Sequence, residues 1–559
     1  MKLALALSLN AIIATSAFLP SGSRRSITQQ NQKHPSFSVI TPLAAESTAS
    51  GGELWNVQRI ARVSDWASTA PDDDGSKPET HYYPSPLSLK DNIPSSWFVG
   101  ENAAVAVKVQ IDALETVDEN CVLPQDFFDD EDDDIEYCEV ETREAFVMAG
   151  PRKEIAFDPP KCKAAIVTCG GLCPGLNTVV REVIMCLRRQ YGVTETYGIK
   201  SGYRGFLKPE TWTHLDSDAV KDLHQRGGSM LGSSRGGHNT TAIVDALVEQ
   251  GVNLLFVVGG DGSLRGAAKI ASEVEARGAP IAVAAIPKTI DNDVPIIDRT
   301  FGFETAVEAA KDAIDVANVE AEGFPNGLGV VKVMGRNSGF IAMHSALGCC
   351  VADLCLVPEV DFYFDGPGGI ADHIYERIVR NGKAVIVVAE GAGQNLMKEM
   401  GAAAGGEEVK KDLSGNVLLD DVGPWLVRQL KTRLDDRLAA ATEYGDGLNT
   451  KYVDPSYMVR AVPPNAADNL YCSQLAQNAV HGAMAGFSNF LVGAINTREC
   501  YLPIELVVNK RNVIDTSHQS LWEYVVFATG QPSFQTDLDP HDDEDAMTTA
   551  SGGVILSTE

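Results

Sequence analysis

Short apolar runs that end in glycine or in a polar turn recur through the middle of the chain. Ala164-Ala165-Ile166-Val167 is followed closely by the turn Gly170-Gly171-Leu172-Cys173-Pro174-Gly175. Behind that turn Leu176, Val179, Val180, Val183, Ile184 and Leu187 fall on one face of a 3.6-residue period. Strand, turn and amphipathic helix therefore make one βα unit. Runs at Leu254–Val258, Ile281–Ile286, Leu328–Val333 and Ala384–Ala389 read as further strands, and Thr305–Val319 carries helical spacing between two of them. Continuous apolar character without polar alternation suits strands covered on both faces. The predicted architecture is α/β with mostly parallel sheets, whose ligands meet at the carboxyl ends of strands. Glu390 and Gly391 follow one such end. No short-period repeat is present.

Composition narrows what such a fold binds. A length of 559 residues suggests two to four units at about 150 residues each. Apolar content of 44% with 22% charged residues is ordinary for a soluble globular protein. The formal charge of −30 argues against nonspecific nucleic-acid binding, which needs Lys and Arg to neutralise phosphates. Anionic ligands must then be held by local cations. Eleven cysteines, an odd number without a spaced disulfide framework, point to free thiols in a reducing compartment.

The N-terminus has its own grammar. Lys2 precedes an apolar stretch from Leu3 to Ala14 and small residues at Thr15-Ser16-Ala17, a signal-peptide pattern too short to span a membrane comfortably. Arg24, Arg25 and Lys33 follow, with no Asp or Glu before Glu46, as in a transit peptide. Ser16-Ala17-Phe18-Leu19-Pro20 resembles the junction of bipartite plastid presequences, so residues 1–45 are expected to direct the protein to the plastid stroma, with cytoplasmic location as the alternative. Residues 46–80, rich in Ser, Ala, Asp and Pro, read as a linker. The acidic run Asp129–Asp134 reads as a solvated insertion. Cys121 and Cys138 bracket it, either as two free thiols or as a redox-controlled disulfide.

Two motifs carry the chemistry. Gly259-Gly260-Asp261-Gly262-Ser263 follows the Leu254–Val258 run and opens a predicted helix from Ser263, bringing backbone N–H groups and a helix N-terminus to an anion. Asp261 is placed there for Mg²⁺. Pro287-Lys288-Thr289-Ile290-Asp291-Asn292-Asp293 adds a carboxylate pair after the next strand. An isolated Asp-x-Asp is usually a turn or a cap. Beside a glycine-rich phosphate turn it describes a phosphoryl-transfer site.

With Met334-Gly335-Arg336, Phe301–Val307 and Asp454–Arg460, these motifs form an ordered series that resembles the 6-phosphofructokinase family from about His81 to about Pro532. The likeness is nearest to its plant and trypanosome-type ATP-using branch. The resemblance implies two similar α/β lobes. The first, residues 161–302 with a return segment at about 462–530, would bind the donor, and residues 303–461 would bind the sugar phosphate. Residues 81–160 would form an N-terminal extension and 531–559 a tail.

The same resemblance implies transfer of the γ-phosphoryl group of ATP to the 1-hydroxyl of fructose 6-phosphate. Asp291 would be the base, with Thr289, Asp293 and Arg235 around the transferred group. Gly171, Arg235, Gly236, Gly260, Asp261, Gly262 and Ser263 would bind ATP, with Asp261 as the Mg²⁺ ligand. Thr289, Ile290, Asp291, Met334, Gly335, Arg336, Glu390, Lys451, Tyr457, Met458, Val459 and Arg460 would bind the sugar phosphate. A homo-oligomer, dimer or tetramer, is implied as well. In bacterial relatives two arginines reach the 6-phosphate from a neighbouring subunit, at positions that here are Gly327 and Lys451.

The donor is a choice between ATP and pyrophosphate. Pyrophosphate-using members carry an Asp in place of Gly262, where its carboxylate would stand against the α-phosphate, so Gly262 favours ATP. Lys288 is shared by the pyrophosphate enzymes and the plant and trypanosome ATP branch, and attracts either polyanion. NAD kinases and diacylglycerol kinases also carry a GGDG turn but lack the paired PKTIDND and MGR motifs. A noncatalytic regulatory subunit would not need Asp261, Thr289, Asp291, Asp293, Arg235 and Arg336 together. A nicotinamide oxidoreductase fits poorly, since no G-x-G-x-x-G follows the first strand.

Overall fold

Two sheets present the carboxyl ends of their strands to the motif residues. The computed structural model describes residues 55–67, 82–90, 92–101, 103–107, 143–401, 418–441, 445–508, 510–517 and 520–534. Residues 1–45, expected to form a presequence, the acidic run, Cys121 and Cys138 lie outside the described residues. The strands, in chain order, are β1 (Trp55–Gln58), β2 (Tyr83–Pro84), β3 (Ala104–Ala106), β4 (Arg143–Met148), β5 (Glu154–Ile155), β6 (Lys163–Thr168), β7 (Glu195–Ile199) and β8 (Thr213–His214). They continue as β9 (Leu254–Gly259), β10 (Ala282–Pro287), β11 (Gly327–Val333), β12 (Leu354–Leu356), β13 (Lys383–Ala389), β14 (Asn449–Val453), β15 (Phe490–Ile495) and β16 (Arg498–Pro503).

The larger sheet runs β1-β4-β16-β15-β10-β9-β6-β7-β8, with β3 paired to β4. Its centre, β15-β10-β9-β6-β7, is parallel. The second sheet, β12-β13-β11-β14, is parallel throughout. Strands β2 and β5 form a small separate pair. Every residue of β9 and β10 is buried, which is why these runs show no polar alternation. The five predicted strands appear with no end shifted by more than one residue, and the stretch Thr305–Val319 lies inside a helix over Phe303–Glu322.

Residues 46–80 are not all linker. Strand β1 pairs in parallel with β4, and Ile60, Val63 and Trp66 behind it are buried at 4%, 5% and 7% exposure. The Trp66 indole N–H donates to the Ala279 carbonyl at 3.0 Å. A few apolar residues among Ser, Asp and Pro give no periodicity, but they suffice once an open sheet edge is available to receive them. The chain's last described residues also depart from a simple return to the first sheet. After β15 and β16, a helix over Leu521–Thr529 is followed by Gln531, whose side-chain amide accepts from Cys355 N at 2.7 Å and donates to Cys355 O at 3.2 Å. The segment thereby satisfies the edge of the second sheet.

The nine described cysteines are free and eight of them are buried. Burial pushes the Cys162 and Cys169 thiols up to about 12. Among the described residues no helix is long and apolar enough to cross a membrane.

Candidate active site

The donor turn is built from two adjacent strand ends. β9 closes at Gly259 and the helix Asp261–Ala276 begins two residues earlier than the sequence suggested, with Gly260 as its cap. The Gly260 carbonyl accepts from Ser263 N at 2.8 Å and Leu264 N at 3.0 Å. A Cβ at Gly259 would overlap the Ser263 side chain, whereas one at Gly262 would meet no atom within 4 Å. The first-turn N–H groups of this helix are the ones that an anion can use. Beside it, Gly170 N donates to Ser234 O at 3.1 Å and Ser233 Oγ donates to Gly170 O at 2.5 Å. These bonds lace the loop carrying Arg235 and Gly236 to the Gly170-Gly171 turn. Gly170 has φ +85, and a Cβ there would sit 3.6 Å from Lys288 Nζ.

The carboxylate pair follows β10. Lys288 N donates to Gly259 O at 3.0 Å, tying the two turns together, and its side chain is buried. Burial lowers the Lys288 ammonium below its ordinary range, against the pull of Cys173, Cys169 and Asp291. Thr289 Oγ accepts from Asp291 N at 3.1 Å and donates to Asp293 Oδ1 at 3.2 Å. Asn292 takes φ +56, a left-handed conformation that asparagine tolerates, and its Oδ1 accepts from Thr300 N at 2.9 Å. This kink sets Asp291 and Asp293 on either side. Ile290 is buried.

Asp291 Oδ1 is buried and has no hydrogen-bond partner among the described residues. Burial raises the Asp291 carboxyl well above the usual range, helped by Asp293 and Glu390 and opposed by Lys288 and Arg336. Asp293 is raised by burial and by Asp261, and Arg511 opposes the shift. An unpartnered buried acceptor costs about 1–3 kcal/mol and is retained where something else supplies the donor.

The facing wall comes from the second sheet. Met334 leaves β11, and Gly335, with φ +134, accommodates the Ser338 carbonyl where a Cβ would collide. Gly391 N donates to Gly335 O at 3.1 Å and Glu390 N donates to Val333 O at 3.0 Å. Ser338 Oγ donates to Asp291 O at 3.1 Å, bringing this wall against the carboxylate loop. Glu390 is raised by burial, while Arg336, Lys332 and Arg460 pull it down. Arg460 Nη1 lies 3.8 Å from the position of a Cβ on Gly171, and its guanidinium packs 5.1 Å from the Tyr457 ring centroid. Tyr457 and Met458 are exposed and Val459 is buried.

The chain thus gathers Gly171, Asp261, Lys288, Thr289, Asp291, Asp293, Arg336, Glu390 and Arg460, with the Arg235 loop beside them. Lys451 is not gathered. It pairs with Gly329 halfway along the edge strand β14 and its ammonium lies 3.6 Å from the Phe324 ring centroid, before β11 begins, while Met334 follows the opposite end of β11. Gly327 opens β11 at the same far end. Sequence reading missed Arg511, whose Nη2 lies 3.5 Å from Asp261 Oδ2. It also missed Lys332, whose ammonium bridges Asp421 and Asp454 at 2.9 Å each. Neither stands in a recognisable motif.

Among the described residues no three His, Cys, Asp or Glu side chains converge as a metal cage. Asp261, its side chain 30% exposed at a helix start, is a single carboxylate. One carboxylate, completed by water and donor phosphates, is the ligand set that suits Mg²⁺.

A family model described as phosphofructokinase matches residues 163–483. The chain is 47% identical over 462 residues to ATP-dependent 6-phosphofructokinase 1 of Arabidopsis thaliana, spanning 83% of this chain and 90% of that protein. It is 48% identical over 391 residues to the same plant's chloroplastic ATP-dependent 6-phosphofructokinase 4, spanning 70% and 72%. Among solved structures, a pyrophosphate-dependent phosphofructokinase from Marinobacter aquaeolei superposes with a TM-score of 0.52 at 21% identity, over 67% of this chain and 94% of that one. That likeness speaks to fold alone. Since the family model spans more than half of the sequence and the plant relatives are nearly half identical over most of their own length, the chain belongs to the phosphofructokinase family.

Proposed function

We infer that the protein transfers the γ-phosphoryl group of ATP to the 1-hydroxyl of fructose 6-phosphate, giving fructose 1,6-bisphosphate and ADP, a committed step of glycolysis. The observation that carries the reading is the orphaned, buried Asp291 Oδ1 between the donor turn and the sugar wall. A hydroxyl donor belongs there. Asp291 accepts the proton of the 1-hydroxyl as that oxygen bonds to the γ-phosphorus and the bond to the ADP oxygen breaks. A carboxyl raised toward the working pH is a competent base for a proton that leaves late, in a loose transition state.

The remaining residues align the reactants and neutralise charge. Gly171, Gly236, Gly260, Gly262 and Ser263 leave the backbone open to the donor, with Arg235 and Lys288 on its phosphates. Thr289 and Asp293 flank the transferred group. Asp261 would hold Mg²⁺, which supplies positive charge to the donor oxygens when bound. Arg336, Glu390 and Arg460 hold the sugar phosphate, with Met334, Gly335, Ile290 and the Tyr457–Val459 segment shaping its pocket. The two parts of the cleft correspond to a donor lobe over 161–302 and a sugar-phosphate lobe over 303–461. Lys451, turned away from its own cleft, serves the 6-phosphate only from a neighbouring copy, in a homo-oligomer.

Gly262 supports ATP over pyrophosphate, and both plant relatives are named ATP-dependent. One of them is named chloroplastic and the other is not. Together with the N-terminal grammar this supports plastid import, which a fluorescent fusion of residues 1–60 would test by its location. The activity itself is tested by incubating the purified protein with γ-labelled ATP, Mg²⁺ and fructose 6-phosphate. Label on the sugar 1-oxygen is expected, and label absent from the sugar, or on another oxygen, sinks the reading.

A further inference from the structure

Arg511 stands where the donor must arrive, and no motif announces it. Its Nη2 is 3.5 Å from Asp261 Oδ2, and its charge opposes the upward push on Asp293. The backbone on its C-terminal side is pinned. Asn512 N donates to Asp293 O at 2.9 Å, and Ile514 N donates to Glu359 Oε1 at 3.0 Å with its own side chain buried at 4% exposure. Glu359 in turn accepts Gly339 N through both oxygens, at 3.0 and 3.1 Å, at the start of the helix Phe340–Cys349. A strap of four residues, 511–514, therefore joins the carboxylate loop after β10 to the wall that follows β11.

Its backbone is fixed, yet the arginine side chain is 40% exposed. A separation of 3.5 Å through one nitrogen is longer than the roughly 2.7–2.9 Å of a charge-assisted hydrogen bond. The guanidinium is held near Asp261 without being locked to it. Asp261, Asp291 and Asp293 together put three carboxylates where a polyanion has to land, so a part-exposed cation on a hydrogen-bonded strap has an evident use there.

We propose that Arg511 is a further donor-site residue, which shields Asp261 and Asp293 in the free enzyme and turns onto the terminal phosphates of ATP once metal takes Asp261. Glu359 is its positioning residue, acting through the strap. The proposal rests on the phosphoryl-donor reading above and adds a residue to it. Bidentate pairing of a guanidinium with phosphate oxygens is geometrically favoured, and Asp261 loses its need of Arg511 when a divalent cation replaces it.

The test is equilibrium binding to the full chain of a nonhydrolysable β,γ-imido analogue of ATP with Mg²⁺, and separately of AMP and of fructose 6-phosphate. Arg511→Met is expected to weaken the analogue by about tenfold to a hundredfold. Binding of AMP and of fructose 6-phosphate stays at the wild-type level, because neither reaches the guanidinium. Arg511→Lys recovers part of the loss, and Glu359→Gln, which keeps an acceptor for Gly339 and Ile514, weakens the analogue less than Arg511→Met does. Wild-type analogue affinity in Arg511→Met overturns the proposal, as does an equal loss for AMP, which marks a structural role. If the wild-type chain itself fails to bind the analogue, the donor reading falls, and that result is distinct from a wild type that binds and an Arg511→Met that binds equally.

Discussion

Replacing Gly262 by Asp isolates the choice of donor from the stability of the fold. A Cβ at Gly262 meets nothing within 4 Å, and the residue lies in the first turn of the helix Asp261–Ala276, without a positive φ. An Asp side chain is therefore accommodated. A carboxylate in a first helical turn contributes about 0.3–1 kcal/mol through the helix dipole, and losing glycine from a helix contributes about as much again. The folded protein should melt at the wild-type temperature or slightly above it. Toward ATP the outcome is opposite, because the carboxylate would stand against the α-phosphate. Two unit charges about 4 Å apart at an effective dielectric near 20 repel by about 4 kcal/mol, close to a thousandfold in affinity. The assay is kcat/KM for ATP at saturating fructose 6-phosphate and Mg²⁺, beside a thermal melt of the same preparation. A Gly262→Asp enzyme with wild-type KM for ATP would refute the account of this position. An unfolded variant would refute the reading of the open space around it.

Three further outcomes are expected. Asp291→Ala should lower kcat by about a hundredfold to ten-thousandfold while leaving fructose 6-phosphate affinity largely intact, measured by steady-state kinetics and direct sugar-phosphate binding; an unchanged kcat removes Asp291 from the role of base. Because Asp291 must be ionised to act and its carboxyl is raised, kcat/KM should fall as pH drops through that raised value, and Glu390→Gln, which removes one of the charges raising it, should move the acid limb to lower pH; a limb that stays put or moves up contradicts the electrostatics. His481, buried with Tyr191 Oη 2.7 Å from its Nδ1, has its pKa pushed down to about 4 from 6.5 by burial first and Arg152 second. The unfolded chain takes up this proton between those two pH values and the folded chain does not, so stability is full above about pH 6.5 and declines by on the order of 3 kcal/mol toward pH 4; urea unfolding at pH 7 and pH 5 should show the decline, and His481→Gln should flatten it.

What was legible in the sequence is local. β9 and β10 are uninterrupted apolar runs because they lie in the middle of the larger sheet, and the glycine turn and the carboxylate pair sit within a few residues of their ends. Those short spans let strand, turn and chemistry be read together. Contacts made across long stretches of chain were not legible. Arg511 meets Asp261 only because β15 and β16 carry the chain back to the larger sheet, and nothing near Arg511 in sequence records that return. The place of Lys451 within its own chain was not legible either: the parallel register of β14 against β11 puts it opposite Gly329, with its ammonium over Phe324, away from the end of β11 that leads to Met334. Strand β1 was missed because its pairing partner β4 lies more than eighty residues away, and Ser, Asp and Pro around it dominate the local pattern. The helix start moved from Ser263 to Asp261 for a smaller reason: Gly260 caps through its carbonyl and backbone geometry, leaving no side-chain signal.

The central claim is that this cleft uses ATP, not pyrophosphate, to phosphorylate fructose 6-phosphate. The most direct measurement supplies the purified protein with fructose 6-phosphate and Mg²⁺, offers ATP or pyrophosphate as the sole donor, and follows fructose 1,6-bisphosphate. Rapid product formation with ATP and none above background with pyrophosphate is the predicted result. Turnover with pyrophosphate at a rate equal to or greater than with ATP, or no product from either donor, would contradict the account.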